Sequence, residues 1–336
     1  MPVRLTSSLG VQGNSFLQAG HWELDAGYRW LHTRGEDFFV GTARTPAPPA
    51  LQPPGGQPIE IDVHTVSLGL TYAATDQIRV SISAPFQTGT ISIAHEDGIR
   101  HSQTVTGLGD VIVTGNAWLF NPRTGPAGNV SLGLGVKTPT GSNTAADTYY
   151  TASGAEQRWV DQAVQPGDGG WGIVLELQAF QRVSSAAVTY LSGFYLLNPK
   201  ERTDVQIGTP VGLPGDGLST GTPYFLSVPD AYSVRGGVSY ALWPEQGLSL
   251  SLGGRFDGVP VGDLVNGGDD NFRRPGYAAF VDPGLDLSLG SNTFTLNVPV
   301  RVHADRRANL RDRVMNVNGG GNLAKIFIFA GYTHRF

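Results

Sequence analysis

The residues of this chain that could do chemistry are charged side chains set at every second position among apolar ones. Asp110, Lys137, Glu176, Arg235, Arg255, Asp257, Asp282, Arg301 and Lys325 stand in such runs. Glu23, Asp25, Arg29, Arg79, Asp286 and Arg335 extend the pattern to seven acids and eight bases. Mixed charges on one face can hold a hydrated, salt-bridged interior together. The same groups on opposing walls of a passage would orient a polar solute. Trp118, Phe180, Phe327 and Phe329 share that face, together with Ile112 and Phe280. Bulky aromatics there fit either an apolar path or packing against an inserted segment.

Other chemistry finds little support. The chain has no cysteine, which removes disulfides, thiolate metal sites and cysteine nucleophiles. Its seven histidines show no metal-ligand spacing. Asp269 and Asp270 lack the alternating oxygen ligands of a calcium loop. The runs Gly133-Leu-Gly135 and Gly167-Asp-Gly-Gly170 lack the strand-to-helix context of a phosphate-binding loop. His303, placed on the charged face with Asp257 or Asp305 as partner, is the best candidate base for a hydrolase, but no serine nucleophile is marked beside it. We therefore expect no catalytic residue, no metal and no cofactor.

The elements that must position these charges are strands, because a period of two is a strand signal. In residues 323–336, Ala324, Ile326, Ile328, Ala330, Tyr332, His334 and Phe336 form one face and Lys325, Phe327, Phe329 and Arg335 lie on the other. The spacing predicts about a dozen strands, near 21–33, 60–73, 78–90, 106–120, 129–139, 171–181, 187–197, 230–242, 248–259, 277–289, 293–303 and 323–336. Connections alternate between short (74–77, 121–128, 182–186, 243–247, 290–292) and long (35–58, 140–170, 198–229, 260–276, 304–322). That rhythm belongs to an all-β, transmembrane, antiparallel up-and-down β-barrel with long extracellular loops and short periplasmic turns. The expected organisation is a tail or luminal segment at 1–20 and a barrel at 21–336. Within 187–197 the two faces compete for the outside, and Pro85, Pro139, Pro283 and Pro299 fall inside predicted strands, which calls for bulges.

Composition agrees with this. Charged residues make up 15% of the 336, the net charge is −5, and the 46 glycines suit close strand packing and turns. Nothing here is basic enough to suggest nucleic acid. Mean hydropathy is −0.11 and no run approaches the ~20 apolar residues of a membrane helix. A barrel hides its membrane signal in alternation. The N-terminus lacks the apolar core of a signal peptide, so an exported protein would be in mature form here.

Three stretches resemble the outer-membrane family named for the MetA pathway of phenol degradation. They are residues 106–120 (TGLGDVIVTGNAWLF), 129–142 (NVSLGLGVKTPTGS) and 165–172 (QPGDGGWG). The resemblance implies a bacterial outer-membrane barrel that moves small aromatic or apolar molecules. A closing strand that ends on Phe336 also resembles the assembly signal of such barrels. Expected partners are the lipid bilayer with lipopolysaccharide, the barrel-assembly machinery and a small-molecule solute. About twelve strands ~4.8 Å apart enclose a backbone diameter of roughly 24 Å, which bulky side chains narrow further. The expected function is passive, selective uptake. A plugged barrel used for surface interaction is the alternative, and a hydrolase a lesser one.

Overall fold

Twelve antiparallel strands close into one barrel. The computed structural model describes residues 16–35, 38–44, 59–125, 127–206, 225–266, 271–309 and 320–336. The first strands are β1 (Trp22–Thr33), β2 (Glu60–Ala73), β3 (Ile78–Ala94) and β4, which runs as Arg100–Leu108 and Ile112–Trp118. Then come β5 (Gly128–Lys137), β6 (Gly172–Arg182), β7 (Ala187–Leu197) and β8 (Ala231–Trp243). The last are β9 (Leu248–Val259), β10 (Gly276–Leu289), β11 (Asn292–Asn297 and Val300–Arg306) and β12 (Ile326–Arg335). Each pairs with its sequence neighbour, and β12 closes on β1 from Glu23 opposite Arg335 to His32 opposite Ile326. Closure removes the free edges that an open sheet would expose.

Proline explains the two interrupted strands. Pro85 on β3 has no N–H to give, and β4 breaks opposite it, with the Gly109 N–H donating to the Pro85 carbonyl. On the other side of the barrel, β11 breaks at Val298–Pro299 opposite Pro283, whose carbonyl takes the Val298 N–H. Pro139 lies just past the end of β5. The predicted last strand starts three residues later than expected, at Ile326. Ala324, expected on the outer face, is therefore buried before the alternation begins.

Side chains expected to meet lipid do face outward without protein cover. Leu68 is 58% exposed, Leu134 62% and Leu252 61%, values that a water-soluble sheet would avoid. On β3 the outward residues are apolar from Ile78 to Phe86 and then change to Thr88, Thr90 and Ser92. The apolar outward face thus spans nine residues of strand, close to what one tilted strand needs to cross hydrocarbon. Aromatic rings flank the band. At the end carrying the long loops, Tyr195, Tyr232, Phe256, Tyr277 and His303 form a ladder with centroids 6.4, 5.9, 4.7 and 5.8 Å apart. At the end carrying the short turns, Trp22 packs on Tyr72 at 4.7 Å and Phe294 on Tyr332 at 5.2 Å. Such girdles mark both interfaces of a membrane barrel.

Register settles the ambiguous strand. Tyr195 pairs with the outward Tyr232, so Leu191, Tyr195 and Leu197 face out while Val188, Tyr190, Phe194 and Leu196 face in. Among the described residues no helix is long and apolar enough to cross a membrane.

Candidate functional site: the barrel lumen

Three layers of inward side chains fill the lumen. At the short-turn end, Trp118 from β4 and Phe180 from β6 hold Phe16, with centroids 5.2 and 5.5 Å away. The described end of the N-terminal segment therefore lies in the lumen, Leu17 buried beside it. Arg79 places its guanidinium 5.5 Å from the Trp118 ring centroid. Just above, the Asn116 side chain donates to Glu176 at 2.7 Å. Gly133 makes room for that contact, since a Cβ there would come within 2.1 Å of the Asn116 nitrogen.

The middle layer is charged. Arg255 Nε is 2.7 Å from Asp257 Oδ2, and Ser233 Oγ donates to the other Asp257 oxygen at 2.6 Å. Arg235 Nε lies 3.3 Å from Asp282 Oδ2. Arg29 donates to Thr65 Oγ1 at 3.0 Å. Aromatic faces support the cations: Arg235 stands 5.3 Å from the Tyr190 centroid and Arg255 4.7 Å from that of Phe329. Phe329 in turn stacks on Phe327 at 5.7 Å, and Phe327 meets Phe280 edge-on at 5.3 Å. Phe39, from the first long loop, joins this aromatic wall, with the Arg301 guanidinium 4.6 Å from its ring. These side chains pack against one another along the inner faces of β7 to β12 and β1.

The upper layer is made by the segment between β5 and β6 folding inward. Val164 is fully buried against Ile61, Val63, Ile91 and Val105 on the inner faces of β2 to β4. Gln87 donates to the carbonyls of Val164 and Gln165 at 3.1 and 3.0 Å. Gly89 lies directly under Val164, where a Cβ would come within 2.7 Å. From this seat the segment reaches loops of the later strands. Gln162 donates to the Ser227 carbonyl at 2.9 Å, and Arg274 forms a bidentate pair with Asp161 at 2.9 and 2.8 Å. Burial alone would raise the Asp161 carboxyl, but the Arg274 charge and hydrogen bonds outweigh it and hold it below the usual carboxylate range.

Lys137 anchors that segment. Its fully buried ammonium pairs with Asp110 at 3.3 Å and with Asp168, and donates to the Gly170 carbonyl at 2.8 Å. Asp110 also accepts from the N–H groups of Gly141 and Asp168, at 2.9 and 3.3 Å. The three motifs that carry the family resemblance thus meet at one point. Asp110 can turn inward because β4 is broken there.

Several sequence-based assignments change. His303, expected on the lumen side, lies outside: a bulge in β11 pairs it with Ala279, and its ring packs on Tyr277 in the girdle. It is thereby separated from the inward Asp257, its proposed partner. Lys325 stands exposed just ahead of β12, its backbone carbonyl accepting from the Arg301 N–H. Asp269 and Asp270 lie outside the described residues. Among those that are described, no cluster of histidine and carboxylate could hold a metal. Sequence reasoning left the face of Tyr190 open and did not single out Phe16, Phe39 or Val164, which lie in segments with no period to reveal an inward side chain.

No family model matches the sequence, and no curated protein is significantly similar to it. Solved barrels are similar in shape. The Ralstonia pickettii toluene transporter TbuX shares 8% identity over 97% of this chain and 92% of its own, with a TM-score of 0.44. The P. putida toluene transporter TodX shares 9% over 94% and 90%, at 0.42. The β domain of the Bordetella autotransporter BrkA shares 10% over 94% and 100%, at 0.45. Transporters and autotransporter domains are thus equally similar to this chain, and the likeness does not choose among their roles.

Proposed function

We propose that this protein is a bacterial outer-membrane barrel through which small molecules, aromatic ones among them, pass selectively and passively. The observation that carries the reading is the middle layer, where Arg29, Arg235 and Arg255 face the lumen beside the rings of Tyr190 and Phe329. Lipid-facing strands with a girdle at each end support the location. The motif resemblance points to the same class of protein. Phe336 serves as the assembly signal in this reading; its N–H donates to the Trp22 carbonyl at 2.9 Å, so the last residue is part of the β1–β12 seam.

Passage requires the packed layers to open. A second reading is a closed barrel working through its loops, favoured by the seats of Phe16 and Val164 at the two ends. Single-channel recording in planar bilayers separates the two. Passage predicts discrete openings, with altered conductance when Phe329 is replaced by Ala. A silent wild-type protein that also admits no labelled solute into liposomes would reject passage.

A further inference from the structure

Arg235 and Arg255 stand directly opposite each other on the inner faces of β8 and β9. Like charges at opposed positions repel, and each of these is held by one carboxylate, Arg235 by Asp282 and Arg255 by Asp257. A third arginine joins them. Arg29 is the register partner of Phe329, the ring on which Arg255 rests. With Asp257 and Asp282, these three arginines make a group of five side chains with a net charge of +1. Nη2 of Arg255, in a side chain 4% exposed, has no hydrogen-bond partner. A buried guanidinium donor left unmade is costly, and a carboxylate satisfies it best, because its two oxygens match the planar fork. The rings of Tyr190 and Phe329 beside the fork offer contact to the organic part of such a molecule.

We propose that the Arg235–Arg255 pair is the selecting station of the lumen and that it favours small aromatic carboxylates over neutral or cationic aromatic molecules. This deepens the passage reading above and rests on it. A pair held for selection must keep the excess charge.

The test uses the full chain in planar bilayers. A KCl gradient should give a reversal potential reporting about a fivefold preference for chloride, the worth of one charge under water-like screening. A sodium benzoate gradient should show benzoate carried in preference to sodium. Benzoate should also interrupt the chloride current at concentrations where benzyl alcohol and benzylammonium do not. R235Q and R255Q should each bring the preference near unity. R255K should keep the chloride preference and lose the benzoate block, because an ammonium lacks the fork. Should a variant fail to fold, the three-probe comparison on the wild-type protein still decides. No current and no uptake would reject passage itself. Current with cation preference, or equal block by all three probes, leaves passage standing and overturns the carboxylate station.

Discussion

Lys137 and Asp110 meet at 3.3 Å in the barrel wall, both almost wholly shielded from solvent, although 27 residues separate them in the chain. The contact joins the end of β5 to the break in β4, and through Asp168 it also ties down the start of β6. One ammonium thereby fixes three segments, and the inward-folded segment hangs between two of them.

Removing one partner of a buried ion pair leaves the other uncompensated. Lys137→Met should therefore destabilise the barrel by about 3–5 kcal/mol, since it strands Asp110 and Asp168 together without a cation. Urea unfolding in lipid vesicles, followed by tryptophan fluorescence, measures this. The double variant Lys137→Met with Asp110→Asn should recover part of the loss; a single variant as stable as wild type would contradict the anchoring role.

Gly89 and Val164 make a direct test of the upper layer. A side chain at position 89 would press on the Val164 backbone as well as its side chain, so the segment has to move. Gly89→Ala should lift it from its seat and raise mean conductance. Proteolysis near residues 160–166 should also become faster. The outward Thr88→Ala, next to it in the strand, is the control and should change neither.

His95 supplies a pH dependence at the loop end. Its buried ring stacks on Tyr149 at 4.3 Å, and its Nδ1 accepts from the Tyr150 N–H at 3.0 Å. Burial lowers its pKa below the ordinary 6.5, the nearby His101 lowers it further, Asp97 opposes, and Arg158 lowers it again. Glu96 also faces this cluster, held by Arg158 at 3.1 Å. A histidine kept neutral by the fold contributes stability above its unfolded pKa and loses it as pH falls toward the lowered value. Acidification from pH 7 to 5 should therefore loosen the hairpin formed by Ala146–Thr151 and Gly154–Trp159. Hydrogen exchange at the Tyr150 amide should accelerate over that range, and His95→Gln should flatten the profile. A rate independent of pH, after correction for intrinsic exchange, would refute this.

The barrel wall and much of its inner face follow from the period of two alone. Alternation places Leu68, Leu134 and Leu252 outside and Arg235, Arg255 and Asp257 inside without reference to any partner strand, because side chains leave a strand on alternate faces. Strand bounds at 60–73, 187–197 and 248–259 follow directly from that period. Where the period stops, so does legibility. The outward turn of His303 follows from a bulge, which shifts the faces by one residue and leaves no mark in the local sequence. The inward paths of Phe16, Phe39 and Val164 depend on long-range contacts made by irregular backbone. The Asp110, Lys137 and Asp168 motifs were visible as motifs, but that they form one anchor is decided by the register of β4, β5 and β6. Setting Arg235 opposite Arg255 takes the folded sheet, because cross-strand pairing is fixed by the turn and by the buried face of the whole sheet rather than by either strand alone.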